Sequence, residues 1–511
     1  MARHQHTGLE SCSRTRRNLT GEMTIPLQHG VLFTDLYQLT MAQVYFSHGI
    51  AEHEASFEHY FRTYPSYGEQ RTGYCVSAGL GALADRLERY RFGDQELAAL
   101  AHMRSSSGAP LFGKDFLDWL GANGDFRRLI LRATPDGRLV HPHTPITVVE
   151  GPLALAQLVE TALLNHRNFA TLLATKAARV KQAARSGTVL EFGMRRAAGL
   201  GANLATESAL VGGADFSSNV AASHKVGLPA KGTHAHSLVQ GFVALGGTEL
   251  DAFRAFARIY PDDCVLLVDT IDTLESGIPN AITVFEELRR RGHRPAGIRL
   301  DSGDPASLVP AAARMLDEAG FGNVPIVLSD RLDELFISRL TEQLARYAEE
   351  PDRVIGRLVF GVGSRLVTSE GAPYLDGVFK LTAVRQDRRW RHAFKRTDDL
   401  AKSAPPGRKS LWRLYGEKGY ARGDMVTLAD EVPDQEGTAP PEPLLEDAWR
   451  EGRLSGEENL QAARARRRSD LARLPPASLD LVDPAPYPVI RSPGLRALSD
   501  RVLAAVMIGE G

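Results

Sequence analysis

Residues 296–330 read AGIRLDSGDPASLVPAAARMLDEAGFGNVPIVLSD, and this stretch decides the fold. Two short apolar runs, AGIRL and VPIVL, end in polar residues, and between them lies a segment of helical composition closed by Gly320. Strand, helix, strand in that order is the unit of a parallel sheet, because parallel neighbours need a crossover of a dozen or more residues. The start of the helix stays open: Asp304 can cap it with Pro305 first, or Ser307 can cap it with Pro310 in the tolerated first turn.

The pattern repeats on both sides. Upstream are TVLEFGMRR (188–196), GGADFSSN (212–219), GLPAKGTHAH (227–236) and DDCVLLVDT (262–270); downstream are RLVFGVGS (357–364) and YLDGVFKLTAV (374–384). With AGIRLDSGD (296–304) and VPIVLSD (324–330) the runs number eight, which suggests a closed barrel of βα units. In such barrels the chemistry sits on the loops at the C-terminal strand ends. The residues finishing the runs are Arg195 and Arg196, Asp215, Thr233 and His236, Asp269, then Arg299, Asp301 and Asp304, Asp330, and the loop Gly361-Val362-Gly363-Ser364. One such acid is commonly a helix cap, but so many polar ends together describe a site that holds anions and a metal.

The residue types suggest roles. Guanidinium forks at Arg195 and Arg299 suit a carboxylate or phosphate. Carboxylates at Asp269, Asp301 and Asp304 suit Mg²⁺ held through waters on a polyphosphate. The FGVGS loop offers backbone N–H groups to phosphate oxygens, and the histidines of GTHAH are poised between acid and base near neutral pH. Tyr37 lies in the first turn of an expected helix beginning near Thr34 or Asp35, where its ring can pack or stack on a flat ligand.

The rest of the chain sets limits. The first two dozen residues are polar with no apolar core, so they are no secretory signal; residues 1–25 are expected to be a disordered extension, with Met23 a candidate start. No run of about 18 apolar residues appears, so no membrane span is expected. A 43% hydrophobic, 24% charged composition with net charge −1 is that of an ordinary globular protein and argues against nucleic acid as partner. Cys12, Cys75 and Cys264 match no metal or disulfide pattern, as expected in a reducing cytoplasm. EASFEHYF and TPITVVEG read as strands, and residues 153–187 as one long helix interrupted by polar residues such as Asn165 and Asn168. The ARARRR run (463–468) reads as a solvated helical face, and the Pro- and Gly-rich stretches RTDDLAKSAPPGRK and DEVPDQEGTAPPEP as exposed loops. No GxGxxG occurs, and GAPLFGKD copies P-loop spacing without a preceding strand or the Ser/Thr that binds metal.

Taken in order, FTDLYQLTM, EFGMRRA, GGADFSSNVAA, GTHAHS, RLDSGDP, FGVGS and FKLTAV resemble the motifs of the nicotinate phosphoribosyltransferase family, and the tail ARLPPASLDLVDPAPYPVIRSPGLRAL resembles that family's C-terminus. The resemblance implies an α/β fold: an irregular (β/α) barrel of the type II phosphoribosyltransferase kind, with a second α+β domain built from N- and C-terminal segments. The expected division is 26–145 for the N-terminal segment, 146–384 for the barrel, and 385–511 for a segment packing with the first. It implies a ligase-like glycosyltransferase of NAD salvage that joins nicotinate to phosphoribosyl pyrophosphate, with Mg²⁺ and with ATP hydrolysis coupled through a phosphohistidine. On the matching positions His236 is the phosphorylated histidine, while His234 falls at a variable place. Tyr37 stacks on the pyridine ring, Arg299 and Thr233 hold nicotinate, and Arg195 meets phosphate or carboxylate. Asp269 and Asp301 sit near ribose and magnesium, and Gly361, Gly363 and Ser364 cradle the 5′-phosphate, with Ser364 where threonine is frequent. Asp215 joins the substrate-binding set and Asp304 the indirect metal set. A cytoplasmic homodimer is implied. A nicotinamide or quinolinate phosphoribosyltransferase, or a non-catalytic ligand-binding relative, are the alternatives.

Overall fold

The computed structural model describes residues 30–508 apart from 69, 348–349, 395–403, 435–438 and 457–458. The extension expected over 1–25, Met23 and parts of the two Pro- and Gly-rich loops lie outside the described residues.

Six of the eight runs form one parallel sheet. We number its strands β1 (Thr188–Glu191), β2 (Phe216–Ser217), β3 (Val265–Leu267), β4 (Gly297–Leu300), β5 (Ile326–Leu328) and β6 (Leu358–Val362). Their order is β2-β1-β6-β5-β4-β3, so the sheet curls but does not close by hydrogen bonds between β2 and β3. The core between sheet and helices includes Val189, Leu266, Ile298, Ile326 and Phe360, each fully buried. The segment 296–330 forms its strand, helix, strand unit: Asp304 caps the helix Pro305–Glu318, its carboxylate accepting from Ala306 N at 3.2 Å. The cap at Asp304 decides between the two helix starts.

The expected closed eight-strand barrel is corrected at two runs. Residues 227–236 form no strand. Pro229 lacks the N–H that a ladder needs, and His236 already opens the helix His236–Ala244. This segment instead crosses the gap between the edge strands. Lys231 N donates to Ser217 O at 2.8 Å on β2, the Thr233 hydroxyl donates to the Val265 carbonyl on β3, and the His234 Nε2 accepts from Leu267 N at 3.1 Å. One backbone N–H and two side chains thus satisfy edge groups that a neighbouring strand would otherwise meet. The last run gives the strand Gly377–Gln386, which pairs antiparallel with Glu54–Phe61 in a different sheet.

That second sheet has seven antiparallel strands in the order Arg389–His392, Gly377–Gln386, Glu54–Phe61, Thr147–Pro152, Ile130–Ala133, Glu446–Arg450, Arg453–Leu454. Ile130–Ala133 beside Glu446–Arg450 brings the two ends of the chain together. The strands at either end of 146–384 belong here too, so the parallel sheet itself runs from Thr188 to Val362. A four-stranded sheet, Glu442–Pro443, Lys409–Tyr415, Ala421–Leu428 and Val489–Arg491, completes the C-terminal part.

Between these layers runs the expected long helix, broken into Leu153–Leu158 and Glu160–Ala183. Its polar residues meet buried partners: Asn168 Oδ1 lies 2.8 Å from His59 Nε2, Arg167 pairs with Asp136 at 2.8 Å, and Arg179 pairs with Glu334 at 2.9 Å. The ARARRR run is a second correction, because it is no solvated face. Arg464 donates to Leu210 O and Ala214 O, Arg466 to Asp136 O, and the buried Arg467 to the Gly212 carbonyl. Carbonyls at the end of helix Gly201–Gly212 attract Arg464 and Arg467, so the run fastens the helix Leu460–Arg473 to that helix end. Among the described residues no helix is long and apolar enough to cross a membrane.

Candidate active site

The C-terminal ends of the strands form one rim, and three of them supply a connected set of charges. Arg299, next to last in β4, donates from Nη2 to Asp301 Oδ1 at 2.7 Å and from Nε to Ser329 Oγ at 2.8 Å. Ser329, just past β5, in turn donates its hydroxyl to Asp301 Oδ1. Burial raises the Asp301 carboxyl, but the Ser329 hydrogen bond and the Arg299 guanidinium outweigh it and hold the group below its ordinary value. Asp269, past β3, accepts from Asp301 N at 2.9 Å and Ser302 Oγ at 2.6 Å through Oδ2, while its buried Oδ1 has no hydrogen-bond partner.

His236 faces this pair. Its Nδ1 lies 3.0 Å from the Thr270 hydroxyl, and its Nε2 lies 3.6 Å from Asp301 Oδ2 and 3.9 Å from Asp269 Oδ1. The two ring nitrogens are therefore unequal: one is tied to a hydroxyl, and the other looks at two carboxylates from beyond hydrogen-bond range. His236 is also the first residue of its helix, where backbone N–H groups favour negative charge. His234 plays a different part, anchored to β3 against the rings of Phe253 and Phe256, and burial lowers its pKa.

Next to Arg299 lies the ring of Phe192, with the guanidinium carbon 5.9 Å from the ring centroid. Gly361 makes that placement possible. It sits inside β6 opposite Leu190, and a Cβ there would meet the Phe192 ring at 2.6 Å. Without a Cβ at this position the Phe192 ring can lie against the strand. A guanidinium beside an aromatic face is suited to a flat ring bearing a carboxylate.

Ser364 lines a separate cavity of about 450 Å³ with Arg196, Arg331, Arg365, Asp330 and Glu370. Asp330 and Arg331 have φ of 74° and 49°, two consecutive non-glycine residues in the left-handed region. Such strain at a cavity mouth commonly accompanies function. Arg365 is held by Asp333 at 2.5 Å, which leaves Arg196 and Arg331 as the more available cations for an anionic group. Behind the loop after β1, the buried carboxylate of Glu191 accepts from Thr206 Oγ1 at 2.9 Å, Ser217 Oγ at 2.6 Å and the Gly193 N–H, fixing the turn Met194–Arg196.

Of the residues expected from the sequence, His236, Asp269, Asp301 and Arg299 come together, with Thr233 holding the loop and Gly361, Gly363 and Ser364 at the neighbouring strand end. Arg195 is exposed on the turn after β1, without a partner in this group. Asp215 does not join them. It precedes β2, at the opposite end of the sheet, where its carboxylate accepts from Lys181 Nζ and Val189 N at 2.8 Å. Asp304 spends one oxygen as a helix cap. Tyr37 lies half exposed on the helix Leu36–Ser47, which packs on Leu153–Leu158. Thr270, Ser329 and Arg331 also belong to the rim and each is next to a strand-end residue named from the sequence, an adjacency that could have found them, whereas Phe192 lies three residues before Arg195 with no such signal. Among the described residues no three His, Cys, Asp or Glu side chains gather to hold a metal by themselves.

Residues 32–168 match the model described as nicotinate phosphoribosyltransferase (NAPRTase) N-terminal domain, and residues 188–408 match the nicotinate phosphoribosyltransferase (NAPRTase) family. The chain is 41% identical over 407 residues to the nicotinate phosphoribosyltransferase of Bacillus subtilis (strain 168), covering 79% of this chain and 77% of that one. It is 33% identical to the enzyme of that name from Bos taurus, covering 93% and 96%. Among solved structures it is similar to human nicotinic acid phosphoribosyltransferase, with TM-score 0.74 and 31% identity over 92% of this chain and 99% of that one. A nicotinate-nucleotide pyrophosphorylase from Pyrococcus furiosus shares the fold at TM-score 0.63 and 22% identity over 86% and 94%.

Proposed function

The chain belongs to the nicotinate phosphoribosyltransferase family, and from that premise we propose that it joins nicotinate to phosphoribosyl pyrophosphate, coupled to ATP hydrolysis through phosphorylation of His236. The observation that carries this reading is the rim set: His236 facing Asp301 and Asp269, with Arg299 beside the Phe192 ring.

In the reaction the pyridine nitrogen of nicotinate attacks the anomeric carbon of the ribose as the bond to pyrophosphate breaks, and the electron pair of that bond leaves with pyrophosphate. Phe192 gives the pyridine ring a flat floor and Arg299 meets its carboxylate, which lines the nitrogen up for attack. On this reading Asp269 and Asp301, joined through the Asp301 N–H, stabilise electrostatically the positive charge that develops on the ribose. The cavity at Ser364, with Arg196 and Arg331, fits the 5′-phosphate. The unpartnered Asp269 Oδ1 and the free Asp301 Oδ2 suit Mg²⁺ held largely through water, and such an ion would neutralise the departing pyrophosphate.

A phosphoryl group on His236 would add negative charge at a helix N-terminus facing two acids, altering the field around the substrates. Tyr37, exposed on a helix apart from the rim, suits a stacking role across a homodimer interface. We place the enzyme in NAD salvage in the cytoplasm, where the free, buried Cys75 and Cys264 would stay reduced.

Measuring pyrophosphate release with nicotinate, nicotinamide and quinolinate, each with and without ATP, tests the substrate and the coupling together. Release with nicotinate alone among the three, stimulated by ATP, is expected. His236→Ala should abolish the stimulation and keep slow ATP-independent turnover; full ATP coupling in that variant would refute the histidine's role.

A further inference from the structure

A cavity of about 200 Å³ lies away from the rim, in the seam between the strand Glu54–Phe61 and the C-terminal four-stranded sheet. No group in the reaction above belongs to it. Its apolar walls are Pro142, Pro145, Pro405, Val426 and Val489. Its polar groups are Tyr60, His143, Lys409, Arg491 and Glu58.

These groups are unbalanced. Glu58 and Lys409 form a buried ion pair at 2.9 Å that joins the two sheets. Arg491 forms no ion pair with any described residue, so two cations line the cavity against one carboxylate. Tyr60 is 4% exposed; the Arg62 guanidinium beside it can only donate, so the hydroxyl's own proton has no acceptor. Burial and the nearby Glu58 push its pKa up to about 12, so the hydroxyl keeps its proton and stays a donor. His143 packs its ring against Tyr60 at 6.1 Å and donates its backbone N–H to Phe61 O at 2.8 Å; burial and the Arg491 and Arg62 guanidiniums lower its pKa. A buried donor without an acceptor is costly and uncommon in folded proteins.

We propose that this cavity binds a small oxyanion, whose oxygens accept from the Tyr60 hydroxyl and whose charge answers Arg491. Its size limits the ligand. At about 200 Å³ it has room for a phosphate or a short carboxylate. Because the cavity is bounded by both sheets, the bound anion ties the C-terminal sheet to the strand Glu54–Phe61.

The test is thermal unfolding of the full chain while inorganic phosphate, or separately acetate, is titrated at constant ionic strength. A ligand that binds only the folded state raises Tm saturably. Phosphate also reaches the rim, so the comparison is with Tyr60→Phe and Arg491→Gln, both distant from it. Each variant should move the midpoint of the response to higher anion concentration by about tenfold, as loss of one contact to a charged group predicts. Response to phosphate or to acetate identifies which oxyanion is held. Without anion, Tyr60→Phe should unfold at the same or a higher temperature, since it removes the orphan donor. Arg491→Gln should leave basal turnover unchanged. Titrations that superimpose for wild type and both variants, or an anion found only at the rim in crystals grown with phosphate, would overturn the proposal and leave the assigned reaction untouched.

Discussion

Ser329→Ala is the sharpest probe of the rim, because one hydroxyl there serves two charged partners. Ser329 is 9% exposed; it accepts from Arg299 Nε at 2.8 Å and donates to Asp301 Oδ1. Hydrogen bonds to charged groups contribute about 1.5–3 kcal/mol each. The Asp301 side chain is 27% exposed, so water can replace part of what it loses. A net loss of about 2–3 kcal/mol in transition-state stabilisation remains, or roughly 30–150-fold in kcat/KM. The pH profile should move as well. The Asp301 pKa is depressed, so the carboxylate persists to low pH and is lost only as pH falls through that depressed value. Without the Ser329 donor the pKa rises, and the acid limb of activity should shift to higher pH. Steady-state pyrophosphate release measured across the acid range reads both quantities, and Ser329→Thr, which keeps a hydroxyl, should recover most of the rate. A kcat/KM within about twofold of wild type together with an unmoved acid limb would refute the reasoning.

Gly361→Ala places a Cβ 2.6 Å from the Phe192 ring, so the ring must move; a stability loss of about 1–3 kcal/mol is expected, with KM for nicotinate rising more than KM for phosphoribosyl pyrophosphate. Equal KM values in the variant and wild type would show that Phe192 is not the floor of the nicotinate site. His59 and His141 are fully buried, and burial lowers each from 6.5 to about 3. The unfolded chain takes up these protons below 6.5 and the folded chain only near 3, so stability is whole above 6.5 and falls as pH drops between the two values. The slope is roughly 1.4 kcal/mol per pH unit for each histidine. Urea midpoints measured over that window should show it, and His59→Gln should flatten the slope by about one histidine's share; an unchanged slope would count against a neutral buried His59.

Much of this architecture is legible in the residues. The strand, helix, strand reading of 296–330 holds because it rests on local chemistry: apolar runs of strand length, a helical segment between them and a closing glycine. The polar residues that end the runs were readable for the same reason, since a strand in a parallel sheet must emerge on one side and its last residues share a rim. Run 227–236 failed for a local reason, Pro229 and the helix that opens at His236, but the last run failed for a distant one. Gly377–Gln386 has a pattern any half-buried strand would show, and only its pairing with Glu54–Phe61 assigns it to the other sheet. The ARARRR run has the composition of a solvated helix face, yet carbonyls at the end of helix Gly201–Gly212, 250 or more positions away in the chain, claim its guanidiniums.

By itself the sequence determined the chemistry available to this protein: which strand ends carry arginine, acid and histidine, and which glycines punctuate them. The tertiary structure alone decided which of those groups meet. It set Asp215 at the far end of the sheet from Asp301, tied His234 to a strand edge, and turned His236 toward two carboxylates. The reason is range. Periodicity, capping and turn chemistry act over a few residues, whereas the partner of a side chain in a curled sheet depends on strand order and register across the whole chain.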